Sequence, residues 1–120
     1  MADIIDWLLD SDPAIRWQVL RDLVHAPPDV VAAERAKVAT EGWGARLLAL
    51  QGDDGQWAGG ACFPRNFNWA DMKFGQPWTS TFPVLQQLWE FGIDPAATAV
   101  QRAVEAVCDG CHWEHAGQRF

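Results

Sequence analysis

Helical periodicity, cut repeatedly by proline, glycine and aspartate, constrains this chain more than any other feature. Asp12-Pro13 is a good helix start, with a capping carboxylate followed by a proline at the first helical position, where no N–H is needed. From there Ile15, Val19, Leu20, Leu23 and Val24 recur at helical spacing, until His25-Ala26-Pro27-Pro28 stops the run. Residues 3–10 before it form a short amphipathic turn. Asp29 caps a second helix through Val30, Val31, Ala33, Ala36 and Val38. A third runs from about Trp43 to Leu50 and ends in the turn Gln51-Gly52-Asp53-Asp54-Gly55.

Further along, Trp78-Thr79-Ser80-Thr81 supplies caps for a fourth helix that tolerates Pro83 in its first turn. Its expected buried face is Val84, Leu85, Leu88, Trp89 and Phe91, and Gly92 is a good C-terminal cap. Asp94-Pro95 repeats the earlier start and opens a fifth helix, whose Ala96, Ala99, Val100, Ala103, Val104 and Val107 make a narrow apolar stripe. No strand-like alternation competes. The expected fold is all-α, one domain over residues 1–120 built of stacked antiparallel helical hairpins. Residues 1–40 read as a HEAT-like lead-in.

The chain has 120 residues and a net charge of -7, which repels phosphate backbones and anionic headgroups and sets nucleic acid aside as a partner. The N-terminus lacks the basic flank of a signal peptide, and no uninterrupted apolar run approaches the ~18 residues of a membrane span. Cys62, Cys108 and Cys111 are odd in number and unevenly spaced, so they make no disulfide framework. These features together lead us to expect a cytoplasmic protein. Its 8 Trp and no Tyr leave many indoles in search of apolar walls and partners for their N–H groups.

One segment carries more specific information. A Leu-rich helix, Trp43-Gly44-Ala45-Arg46-Leu47-Leu48-Ala49-Leu50, leads into Gln51, then Gly55-Gln56-Trp57. Gln51 at a helix end can bond the backbone of the next turn, Gly55 permits positive φ, and Trp57 can stack over the Gln51 amide. The segment resembles the QW repeat of squalene cyclases, within the terpenoid cyclase and protein prenyltransferase superfamily. The resemblance covers residues 41–110. It implies a partial α/α toroid of helical hairpins around an apolar, aromatic-lined cavity that holds isoprenoid chains. No second complete motif occurs, and the Asp-rich acid motif of squalene-type cyclases is absent. Catalysis is therefore not carried over, and the abrupt end at Gly117-Gln118-Arg119-Phe120 leaves room for a continuation.

Residues 57–78 hold too many breakers for a regular element, yet they carry Trp57, Phe63, Phe67, Trp69, Phe74 and Trp78. This aromatic loop is the best candidate for a hydrophobic ligand wall; it could equally fold back over the helical core. Cys108, Cys111, His112 and His115 are zinc-binding residue types, but four ligands on one straight helix cannot surround a tetrahedral ion, even with Gly110 allowing a break. The plainer reading is a helix end with two buried thiols and two surface imidazoles. Cys111 and His112 are neighbours in sequence only, so no nucleophile is assigned. Asp53 and Asp54 could hold a cation but in a Gly-rich turn are expected to be solvated. The expected function is binding of an apolar, isoprenoid- or polyketide-like ligand without complete catalytic machinery, cofactor or metal. The alternative is a protein-interaction or dimerisation module with no small ligand.

Overall fold

The computed structural model describes residues 2–68, 70 and 78–110, and every regular element among them is a helix, as the periodicity predicts. In chain order these are α1 (Ala2–Leu9), α2 (Pro13–Asp22), α3 (Pro28–Ala36) with a 3-10 turn at Lys37–Ala39, α4 (Gly42–Ala49), α5 (Thr81–Phe91) and α6 (Thr98–Gly110). The contacts gather into two compact units. The first takes the chain as far as Ala49 together with Leu88–Asp94; the second takes Leu50–Gln87 and the chain from Pro95 onward.

In the first unit α2 packs against α1 and α3 and buries Ala14, Trp17 and Val19; Val38 and Leu88 have no exposed surface. Asp12 does more than start α2. Its Oδ1 accepts the Ala14 N–H at 2.9 Å, while Oδ2 accepts the Trp43 N–H at 2.7 Å, so one carboxylate caps the first turns of both α2 and α4. Each cap contributes about 0.5–2 kcal/mol, and Asp12→Ala is expected to cost about 1–4 kcal/mol. Asp12→Asn, which keeps one oxygen acceptor, should lose roughly half as much. Denaturant midpoints of the three proteins check this, and an alanine variant as stable as its parent contradicts the double cap. Nearby, Glu34 accepts hydrogen bonds from Arg16 Nε and, at 3.0 Å, from Lys37 Nζ. Burial opposes its ionisation, but bonds from Lys37 and Arg16 prevail and hold the carboxyl below its ordinary value.

Several boundaries differ from the sequence expectation, each for a local reason. Pro27-Pro28 does not merely stop α2: Pro28 is the first residue of α3, and the Pro27 carbonyl accepts the N–H groups of Val30 and Val31, so Asp29 lies inside the first turn rather than at the cap. α2 ends at Asp22, and Leu23 and Val24 are exposed where the chain reverses through His25 at φ +55°. Asp94-Pro95 starts no helix. The Pro95 carbonyl is taken by the Gln101 side chain at 2.6 Å, and the first helical bond runs from Gln101 N to the Ala97 carbonyl. Of the face predicted for α5, Val84 and Leu88 are buried, but Trp89 is 76% exposed, because a residue one step past the stripe is turned about 100° away from it. Gly92 ends α5 at φ +93°, as a C-terminal cap glycine should.

The second unit holds the Gln51–Trp57 turn, the aromatic segment and α6, with Trp57, Val84, Val100 and Ala103 as its buried apolar residues. Of the predicted α6 stripe, Val104 is exposed.

Candidate functional site

The site starts where α4 ends. Past Ala49 the chain folds into a turn closed by Gly52 N to the Gln56 carbonyl (2.8 Å) and Gly55 N to the Gly52 carbonyl (2.9 Å). Gly55 takes φ +82°, and a Cβ there would lie 3.2 Å from the Arg102 carbonyl oxygen, so both backbone conformation and proximity to α6 select glycine. The Gln51 amide nitrogen donates to the Gly55 carbonyl and to the Ala99 carbonyl, each at 2.8 Å. Arg102 donates to the Asp53 carbonyl at 2.8 Å. Gln51 thus bonds the following turn, as expected of a glutamine at a helix end, and also ties that turn to the first turn of α6, which was not expected.

Trp57 is 2% exposed. Its backbone N–H donates to Thr81 Oγ1 at 3.0 Å, and that hydroxyl donates to the Gly60 carbonyl at 2.8 Å. The first N–H groups of α5 are met by the same loop: Thr81 N to the Gly60 carbonyl (3.0 Å), Phe82 N to the Ala61 carbonyl (2.8 Å), with Ser80 Oγ donating to the Cys62 carbonyl (2.9 Å). A helix leaves its first N–H groups without internal partners, and the carbonyls of residues 60 and 61 supply acceptors for two of them. The start of the aromatic segment is therefore pinned to α5.

The six aromatic residues do not share one fate. Trp57 is core. Phe63 and Phe67 pair with ring centres 5.2 Å apart, Phe63 at the surface and Phe67 half-buried. Trp78 is 68% exposed, and Phe82, which the sequence did not single out, is 58% exposed four residues later. Trp69 and Phe74 lie outside the described residues. The groove next to the Gln51 turn, of about 540 Å³, is lined by Leu50, Asp53, Asp54, Arg65 and Asn66 rather than by the aromatic rings.

The remaining candidates resolve into surface features. Asp53 and Asp54 are exposed; Asp54 Oδ1 accepts the Gln56 N–H at 2.9 Å and its Oδ2 lies 3.5 Å from Arg65, so the pair serves the turn. Cys108 is exposed on α6, which corrects the expectation that its thiol is buried. α6 continues through Gly110. Cys111, His112 and His115 lie outside the described residues, and among the described residues no three His, Cys, Asp or Glu side chains gather as metal ligands would. No described helix is long and apolar enough to cross a membrane. What the sequence reading missed is the Thr81 hydroxyl, whose only signal was its place in a run of capping residues. No protein-family model, no curated protein and no solved structure matches this chain.

Proposed function

We propose that this chain is a terpenoid-cyclase-like helical domain that presents an aromatic face to an apolar ligand of isoprenoid or polyketide type, without the acid motif that squalene-type cyclases use. The observation that carries this reading is the exposure of Trp78 and Phe82, 68% and 58%, at the start of α5, in the same unit as the Gln51–Gly55–Trp57 joint. Large aromatic side chains exposed at and just before a helix start are apolar area that water covers poorly, and an apolar ligand covers it well. Such a face binds and orders a flexible chain. Tryptophan fluorescence titrated with farnesyl- and squalene-like ligands tests this. Saturable binding is expected, with Trp78→Ala weakening it roughly tenfold, the size of a 1.4 kcal/mol loss, and leaving the helical circular-dichroism signal intact. Equal binding by the variant, or no binding at all, removes the reading.

A second reading is favoured by α1, where Ile4 and Trp7 are 57% and 73% exposed three residues apart, on one helical face. On this reading the chain is an interaction or dimerisation module. Native mass measured across protein concentration in the same samples separates the two: a dimer untouched by Trp78→Ala and dissociated by Trp7→Ala supports protein contact.

A further inference from the structure

In the first unit, α2 and α3 bring two guanidinium groups onto one indole. The Arg21 and Arg35 guanidinium carbons stand 4.6 Å and 5.0 Å from the Trp17 ring centre. Trp17 is itself buried and locked by an Nε1 hydrogen bond to the Phe91 carbonyl at 2.8 Å. Beside it runs a groove of about 450 Å³ whose walls include Trp17, Arg21, Arg35, Trp89 and Glu90.

The two arginines are in different states. Arg21 donates from Nε and Nη2 to the two Asp22 oxygens, at 2.6 Å and 2.8 Å, so its charge is neutralised by its neighbour. Arg35 donates from Nε to the Gly92 carbonyl at 2.7 Å, and no carboxylate among the described residues lies within ion-pair distance of it. Arg46 and Arg102 also lack an ion pair among the described residues, but Arg35 is the one of the three held both by a hydrogen bond and over an indole face. Its terminal nitrogens keep the planar fork that matches a carboxylate, and its orientation is already fixed before a ligand arrives. Trp89 adds a flat apolar surface on the same groove. Glu90 lines the same groove, and its charge opposes a diphosphate or other polyanion more strongly than a monoanion.

We propose that this groove binds a monoanionic aromatic carboxylate, its carboxylate paired with Arg35 and its ring against Trp89. The site belongs to the first unit and does not depend on the apolar face proposed at Trp78, which belongs to the second. The test compares 2-naphthoate with the neutral 2-naphthamide on the full chain, by calorimetry and by the indole N–H signals in ¹H–¹⁵N spectra. The acid is expected to bind about tenfold or more tighter than the amide, as a charge-assisted pair should. Shifts should appear at the Trp17 and Trp89 indoles. Arg35→Gln should erase the preference for the acid. Because that change also removes the bond to Gly92, Arg35→Lys is measured beside it; the charge without the fork should reduce the preference at least ~threefold. Trp89→Ala alters an exposed side chain and should weaken acid and amide alike, roughly fivefold. Equal affinity of acid and amide for the parent protein, a preference that survives Arg35→Gln, absence of binding, or shifts confined to other indoles would each overturn the proposal.

Discussion

Replacing Gly92 with alanine is expected to destabilise the first unit by about 2–6 kcal/mol, from two costs of about 1–3 kcal/mol each. One is conformational: Gly92 sits at φ +93°, where a side chain is strained. The other is steric: a Cβ would stand 2.5 Å from Trp17 Cζ2, 2.6 Å from Cε2 and 2.7 Å from Nε1. Relief would require the indole to move, and the indole is the least movable group nearby. It is buried, its N–H is bonded to the Phe91 carbonyl, and both Arg21 and Arg35 lie over its ring. The clash therefore spreads into the backbone at the end of α5, including the Gly92 carbonyl that orients Arg35. Chemical denaturation of the variant measures the loss. Gly110→Ala is the control, since a Cβ there meets nothing within 4 Å and should leave stability unchanged or slightly raised. A Gly92→Ala protein within about 0.5 kcal/mol of its parent contradicts the geometry.

What could be read from the sequence was what local chemistry decides. Asp12-Pro13 starts a helix because both residues act on their own first turn. That the same carboxylate also caps α4 depends on Trp43, 31 residues away, and no local pattern encodes it. Asp94-Pro95 carries the same letters and starts nothing, because the Gln101 side chain takes the Pro95 carbonyl. Gly55 was legible as a positive-φ position, and Gln51 as a group that bonds the following turn; the second acceptor, the Ala99 carbonyl, was not. Periodicity placed Leu88 and Trp89 together on the buried face of α5, but only Leu88 is buried. A stripe is coarse at its edges, and the partner surface settles which neighbour goes inside. The same limit applies to the site. Composition shows many indoles and cannot rank them, so Trp57 and Trp78 looked alike as ligand-wall candidates. What distinguishes them is a tertiary contact: the Thr81 hydroxyl bonds the Trp57 backbone and the Gly60 carbonyl, drawing the front of the loop into the second unit while Trp78 is left at the surface. The Trp17 groove was hidden for a similar reason. Trp17 and Arg21 are four residues apart on one helix, a visible pairing, but Arg35 comes from α3.

Trp57→Ala is expected to cost about 3–5 kcal/mol, the usual loss for emptying a buried indole site. Trp57 is 2% exposed, so nearly all of its apolar surface is withdrawn from water, and its removal leaves a cavity beside a backbone that is held in place. Two residues before Trp57, Gly55 is fixed by its positive φ and by the Arg102 backbone 3.2 Å from its Cβ position. The Thr81 hydroxyl bonds both the Trp57 N–H and the Gly60 carbonyl, and the carbonyls of residues 60 and 61 in turn accept the first N–H groups of α5. Relaxing into the cavity would pull on those bonds, which places the expected cost in the upper part of the range. A loss of that size is a large share of the stability of a small domain, about 5–15 kcal/mol in total. Thermal and denaturant unfolding followed by circular dichroism reads it directly. The comparison that gives the measurement its meaning is Trp78→Ala, which removes an indole that is 68% exposed and should change stability by no more than about 0.5 kcal/mol. If the two variants lose stability equally, the aromatic segment is one packed layer and Trp78 has no face to offer a ligand. If Trp57→Ala is tolerated, the buried turn that Gln51, Gly55 and Trp57 form with Thr81 and α6 is not what holds the second unit together.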